Sequence, residues 1–157
     1  MYIELHACSA FSFLEGASVP EELAEVCAAH QMPAMALLDR DGVYGSPRFH
    51  LATKKLDLKA HIGAEITSLL TASADPGEPA LPRLPLLCAS REGYQNLCRL
   101  VTRMKLRAPK YPGALPRRAN LEEDIVLHSR ATASVADLHE YANGLICLTG
   151  GDEGPLA

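Results

Sequence analysis

Three short polar sets in this sequence combine residue types that can bind cations or move protons: His6, Cys8 and Ser9; Asp39, Arg40 and Asp41; and Glu65. Imidazole, thiolate and carboxylate groups ligate zinc and related ions, and several of them converging on one point make a metal site. Residues two apart on an extended chain face the same side, so His6 and Cys8 can act together. The plainer reading is a hydrogen-bonded histidine at a strand end, and the residues alone leave both open. His30, His50 and His61 read as structural or exposed. His128 and His139 receive no role, because His128-Ser129 is no triad without a placed acid. Gly150-Gly151 before Asp152 and Glu153 reads as a turn, since it lacks the lysine and the glycine spacing of a phosphate loop.

For these sets to meet, each must stand at the same end of its own strand. A first strand is expected over 2–5, with His6 at its carboxyl end. Ser18-Val-Pro-Glu21 reads as a capping box with proline in the first turn of a helix that Met32-Pro33 ends. The apolar run 34–38 suits a buried parallel strand with Asp39, Arg40 and Asp41 at its end. Ser46-Pro47 starts a helix to about 56, and 60–70 gives a strand carrying Glu65. A Pro- and Gly-containing loop is expected over 72–82, a strand over 84–89 and a helix over 92–107. The apolar stripe of that helix is Tyr94, Leu97, Cys98, Val101 and Met104. A Pro/Arg-rich loop over 110–119, a helix over 134–142 and a strand over 144–148 complete the pattern. Strands alternating with helices in this way imply an α/β fold with a parallel sheet, whose functional groups gather at the carboxyl ends of the strands.

The chain has 157 residues, 48% hydrophobic and 22% charged, which fits one globular domain or a piece of one and argues against extended disorder. Its net charge is −4, so no overall basic excess announces a nucleic-acid partner. One stretch runs the other way. Arg99, Arg103, Lys105, Arg107, Lys110, Arg117 and Arg118 follow one another with no acidic residue between them, as a solvated face or as a contact for DNA or an acidic partner. Five cysteines without a C-x-x-C pair, and no leader-like start, suit free thiols in a reducing cytoplasm; Cys27, Cys88, Cys98 and Cys147 have apolar neighbours and are expected in the core. No apolar run approaches the ~18 residues of a membrane span.

HACSAFSFLEGAS at 6–18 resembles the opening motif of the PHP (polymerase and histidinol phosphatase) family, H-x-H-S-x-x-S with an acidic residue before a glycine. LLDRDGVYGSPRFHLATKK at 37–55 resembles the second motif, with its T-D-H, and IGAEI at 62–66 the third, with its G-x-E. REGYQNLCRLVT at 91–102 and GLICLTGGDEGPLA at 144–157 are similar to the segments that follow in the error-prone branch of bacterial C-family DNA polymerase III alpha subunits. Five segments in the right order span almost the whole chain.

The resemblance implies a distorted parallel β/α barrel of the PHP type, with 1–157 as the N-terminal portion and the last β/α units absent. Intact members hold a Mn, Mg or Zn cluster and hydrolyse phosphate esters, and some act as 3′-to-5′ exonucleases. Matched residue by residue, His6, Glu15 and Glu65 keep the types of metal ligands. Cys8 stands at a histidine position and could serve only a single zinc, Arg40 replaces the histidine of T-D-H, and Arg83 stands where a further histidine is expected. A guanidinium stays protonated and cannot ligate a cation. The expectation is a degraded metal site without a cluster, little or no phosphoesterase activity, and a structural role in a polymerase that replicates or repairs DNA. The partners would be the remainder of the alpha subunit and DNA, with self-association where barrel edges are uncovered. The alternative is a metal-dependent phosphoesterase or exonuclease of the same family.

Overall fold

A computed structural model describes residues 2–68, 82–108 and 131–149. Along the chain these form β1 (Glu4–Ala7), α1 (Pro20–Ala29), β2 (Ala34–Arg40), α2 (Ser46–Lys55), β3 (Lys59–Thr67), β4 (Arg83–Cys88), α3 (Arg91–Arg107), α4 (Val135–Tyr141) and β5 (Leu145–Cys147). The loops expected over 72–82 and 110–119, and the turn at 150–151, lie outside the described residues apart from Pro82.

The strands form one sheet in the order β1-β2-β3-β4-β5. β1, β2 and β3 are parallel neighbours; β4 pairs antiparallel with both β3 and β5, so four of the five strands run the same way. The α/β class and mostly parallel sheet agree with the sequence, and the sheet is not closed among the described residues. The reversal of β4 does not follow from the apolar run at 84–89, because a buried strand reads alike in either direction. It matters for the site. Thr67 is paired with Arg83, so the amino end of β4 stands at the carboxyl end of β3.

Alternation along β2 divides the protein into two layers of contacts. Met35 and Leu37 pack with Ala24 and Cys27 of α1 and Phe49 of α2, while Ala36 and Leu38 pack with Leu87 on the opposite face. Further along the helix-covered face, Ala64, Ile66, Leu84 and Leu86 meet Leu97, Leu100 and Met104 of α3. Both faces of β2 are thus buried, which is why its sequence is an unbroken apolar run. Arg40 alternates with Leu38, and Glu65 pairs with Arg40 in the β2–β3 register, so both charges belong to the face without helices.

Local chemistry corrects several expectations. The first helix is capped at Val19, one residue later than the sequence suggests: the Val19 amide donates to the Glu22 carboxylate at 3.1 Å, with Pro20 following as the first helical residue. β1 is shifted to 4–7, placing His6 within the strand. On α3, Leu100 is fully buried and Tyr94 is 38% exposed, so the core stripe runs through Leu97, Leu100 and Met104. Cys27 is buried, Cys88 and Cys98 are half-buried, and Cys147 on β5 is exposed rather than in the core.

The start of α3 and the turn before β5 approach with no room between them. Ser90 caps the helix by accepting from the Gly93 amide, and the Asn96 side chain donates to the Asn143 carbonyl at 2.9 Å. A Cβ on Gly93 would lie 1.8 Å from the Gly144 carbonyl oxygen, which itself accepts from Ala89. Gly93→Ala is expected to lower stability by about 2–3 kcal/mol, the range of an overpacked core, measured by urea denaturation.

Candidate functional site

Asp39 is the anchor of the rim. It ends the apolar run of β2 and is 1% exposed, so its carboxylate must find donors within the protein. Oδ1 accepts from the Ser9 amide at 2.9 Å, the Ser9 hydroxyl at 2.7 Å and the Ser12 hydroxyl at 3.1 Å; Oδ2 accepts from the Gly45 amide at 2.8 Å. Ser12 Oγ also accepts from the Arg40 amide at 3.0 Å. The loop after β1, the end of β2 and the entry to α2 are therefore fixed to one side chain. Beside it, Asp41 has φ 47 and accepts from the Thr67 amide at 2.7 Å and hydroxyl at 2.8 Å, joining β2 to β3.

A chain of alternating charges crosses the rim on this frame. His6 Nε2 lies 3.2 Å from Glu65 Oε1. Glu65 Oε2 faces Arg83 Nη1 at 3.5 Å, and Arg83 grips Glu15 with both terminal nitrogens at 2.9 Å. Arg40 Nη1 donates to the same Glu15 carboxylate, and Arg40 Nε stands 3.9 Å from Asp41 Oδ2. The glutamates and arginines here are between 17% and 39% exposed at the side chain, enough shielding to strengthen the pairs over surface ones. Cys8 is half-buried next to them. Burial first, and then the negative charges of Glu65, Asp39 and Glu15, push its thiol above the usual range, which keeps the proton on sulfur at neutral pH.

The structure thus brings together His6, Glu15, Arg40, Glu65 and Arg83, with Cys8 close by. Each oxygen of Glu15 and Glu65 faces a nitrogen of arginine or histidine, and Asp39 and Asp41 spend theirs on serine, threonine and backbone donors. Among the described residues no group of three His, Cys, Asp or Glu side chains is arranged to hold an ion.

The basic stretch has its own partners. Arg107 makes a two-nitrogen contact with Asp137, which is 1% exposed, and Arg103 Nε lies 3.2 Å from the same carboxylate. Arg103 also bonds Glu140 and the Tyr141 hydroxyl, the latter at 3.1 Å. Arg99 contacts Asn96 at 3.3 Å, and Lys105 Nζ stands 5.3 Å from the centre of the Tyr44 ring. Arg103 and Arg107 fasten α4 to α3. Lys110, Arg117 and Arg118 lie outside the described residues.

The profile of the PHP domain matches residues 4–157. The chain belongs to the PHP domain family. Curated relatives include an error-prone DNA polymerase of Anaeromyxobacter dehalogenans, 48% identical over 117 residues, covering 74% of this chain and 10% of that protein. Another is the error-prone DNA polymerase of Mycobacterium tuberculosis strain H37Rv, 47% identical over 98 residues, covering 62% of this chain and 9% of that protein. The chain thus spans about a tenth of the length of these relatives. Among solved structures, a candidate metal-dependent phosphoesterase from Bifidobacterium adolescentis aligns over 99% of this PHP chain and 46% of its own, at 15% identity and a TM-score of 0.48.

Sequence reasoning missed the work of Ser9, Ser12, Gly45 and Thr67. A signal was present for the serines. An aspartate ending a buried apolar strand demands donors, and S-x-x-S in the loop after a neighbouring strand supplies two hydroxyls.

Proposed function

We propose that this PHP domain is the amino-terminal module of a bacterial error-prone DNA polymerase, with a degraded cation site and a structural role. Nucleotidyl transfer would be carried by other parts of such a polymerase, the remaining β/α units would complete the barrel, and the working compartment would be the cytoplasm. One observation carries the reading: Glu15 is clasped by Arg40 and Arg83, two fixed positive charges at positions where the family resemblance expects histidines. A cluster of divalent ions does not fit this donor set. Two guanidiniums repel an incoming cation, and they already neutralise the carboxylates it would need. The high identity to polymerases of that name supports the parent protein, and the ion pairs of the rim and of Asp137 support a module held together by its own charges.

The reading assigns a DNA contact to Arg99, Lys105, Lys110, Arg117 and Arg118, with the sequence-blind, salt-sensitive affinity of phosphate contacts. Turnover of p-nitrophenyl phosphate in the presence of Mn or Zn tests the loss of hydrolysis. The expected rate equals the buffer rate, for the natural chain and for Glu65→Ala alike. Metal-dependent turnover abolished by Glu65→Ala would instead make the protein a working phosphoesterase.

A further inference from the structure

The best-formed recognition geometry on the rim is the pair of guanidiniums around Glu15. Arg83 presents a parallel fork, with both nitrogens at 2.9 Å from Glu15 oxygens, and Arg40 donates to Oε1 from the other side. Such a fork fits phosphate as well as it fits carboxylate. The two arginines stand on the frame, at the end of β2 and the start of β4, while the carboxylate comes from the loop between β1 and α1. The two arginines thus stand on strands and their occupant is carried on a loop.

That loop holds its position at a conformational cost. Leu14, next to Glu15, has φ 66 and is 92% exposed, and Phe13 is 81% exposed. A leucine in the left-handed region costs roughly 1–2 kcal/mol, and no packing at the tip repays it. The loop is held from below by Ser9 and Ser12 on Asp39, and from above by Glu15 between the arginines. We propose that Arg40 and Arg83 form an anion site for a phosphate group, and that Glu15 is a built-in plug occupying it. This rests on the reading that no cation cluster fills the rim.

Charge and tethering set its behaviour. Glu65 stands 3.5 Å from Arg83, and Asp41 3.9 Å from Arg40, so the clamp binds a free phosphate weakly. A tethered carboxylate acts at an effective concentration of roughly millimolar, so free phosphate well below that concentration does not displace it. Removing the plug exposes two unpaired guanidiniums that a phosphate can pair. The ligand chemistry is the same for inorganic phosphate and for a phosphate at the end of a nucleic acid.

Calorimetric titration and thermal unfolding of the whole chain, at constant ionic strength, test this with Glu15→Ala and with Glu15→Gln, which keeps the side-chain shape. Inorganic phosphate should bind both variants at least roughly tenfold more tightly than the natural chain, a difference of about 1.4 kcal/mol. It should also raise their melting temperatures relative to chloride, and adding Arg83→Ala should abolish both effects. A short oligonucleotide carrying a 5′-phosphate, compared with its 5′-hydroxyl form, separates a nucleic-acid end from the free ion. Equal phosphate affinity in natural and variant chains, or binding that survives Arg83→Ala, would overturn the plug. Metal content of the same samples keeps the two claims apart. Bound metal in the natural chain refutes the underlying reading, whereas metal-free chains of equal phosphate affinity refute only the plug.

Discussion

Asp39→Asn is expected to lower stability by about 3 kcal/mol, seen as a lower urea midpoint with an unchanged slope. The exchange keeps size and shape, so it isolates hydrogen bonding. Three donors converge on Oδ1 and one on Oδ2, and all four meet a buried carboxylate. An amide can still accept on one side, but its NH2 must then face either the Gly45 or the Ser9 backbone amide, neither of which can accept. A donor facing a donor leaves buried groups unpaired, each costing roughly 1–3 kcal/mol. Asp39→Ala should cost more, about 3–5 kcal/mol, because it also empties the site. Since Ser9 and Ser12 hold the loop that carries Glu15, loss of Asp39 should also expose residues 9–16 to early amide hydrogen exchange. An Asp39→Asn protein with natural stability would show that these bonds do not hold the rim.

Asp137→Asn is expected to cost about 2–3 kcal/mol at neutral pH. Burial alone would raise the pKa of Asp137; the Arg107 guanidinium, and after it the Ser134 hydroxyl and amide, outweigh burial and hold it down at about 2. A carboxylate depressed in the folded state adds stability above its unfolded pKa and gives it up as pH falls through the folded value. The contribution is therefore complete above about pH 4, fades between there and about 2, and amounts to about 2 kcal/mol from the size of the shift. Asparagine also weakens the capping box of α4, in which Ser134 Oγ donates to Asp137 at 2.7 Å and accepts from its amide at 3.2 Å. In urea titrations across that pH range, the natural chain should lose the increment as pH falls and Asp137→Asn should lack it throughout. Parallel pH profiles for the two chains would remove Asp137 as the α3–α4 clasp.

The parts of the fold governed by short-range rules were legible. The apolar run of β2 and the proline at the start of α1 and α2 each state their structure in a few residues. The stripe of α3 as read from sequence has Leu97 and Met104 in place but includes Tyr94 and leaves out Leu100. The direction of β4 was not legible, because an apolar run of buried residues reads alike whichever way it pairs with β3. At the site, residue types at strand ends were enough to bring His6, Glu65 and Arg40 to one rim. Arg83 was placed there by resemblance alone; physically it arrives because β4 is reversed. The roles of Ser9 and Ser12 were readable only together with Asp39, since a hydroxyl in a loop is ordinary until the buried aspartate it serves is known. Arg103 and Arg107 belong to a charge run that reads as a solvated face or as a contact for DNA or an acidic partner. In the fold both pair with Asp137, some thirty residues away, which no short-range pattern announces.

Elemental analysis of the purified chain after equilibration with Mn and Zn, followed by dialysis, tests most directly whether guanidiniums have taken the cations' place. The account predicts far less than one ion per chain, with no change on Glu65→Ala. Two or more ions per chain, lost when Glu15 or Glu65 is replaced by alanine, would contradict it, because those ions could bind only with Arg40 and Arg83 turned away from the glutamates they now hold.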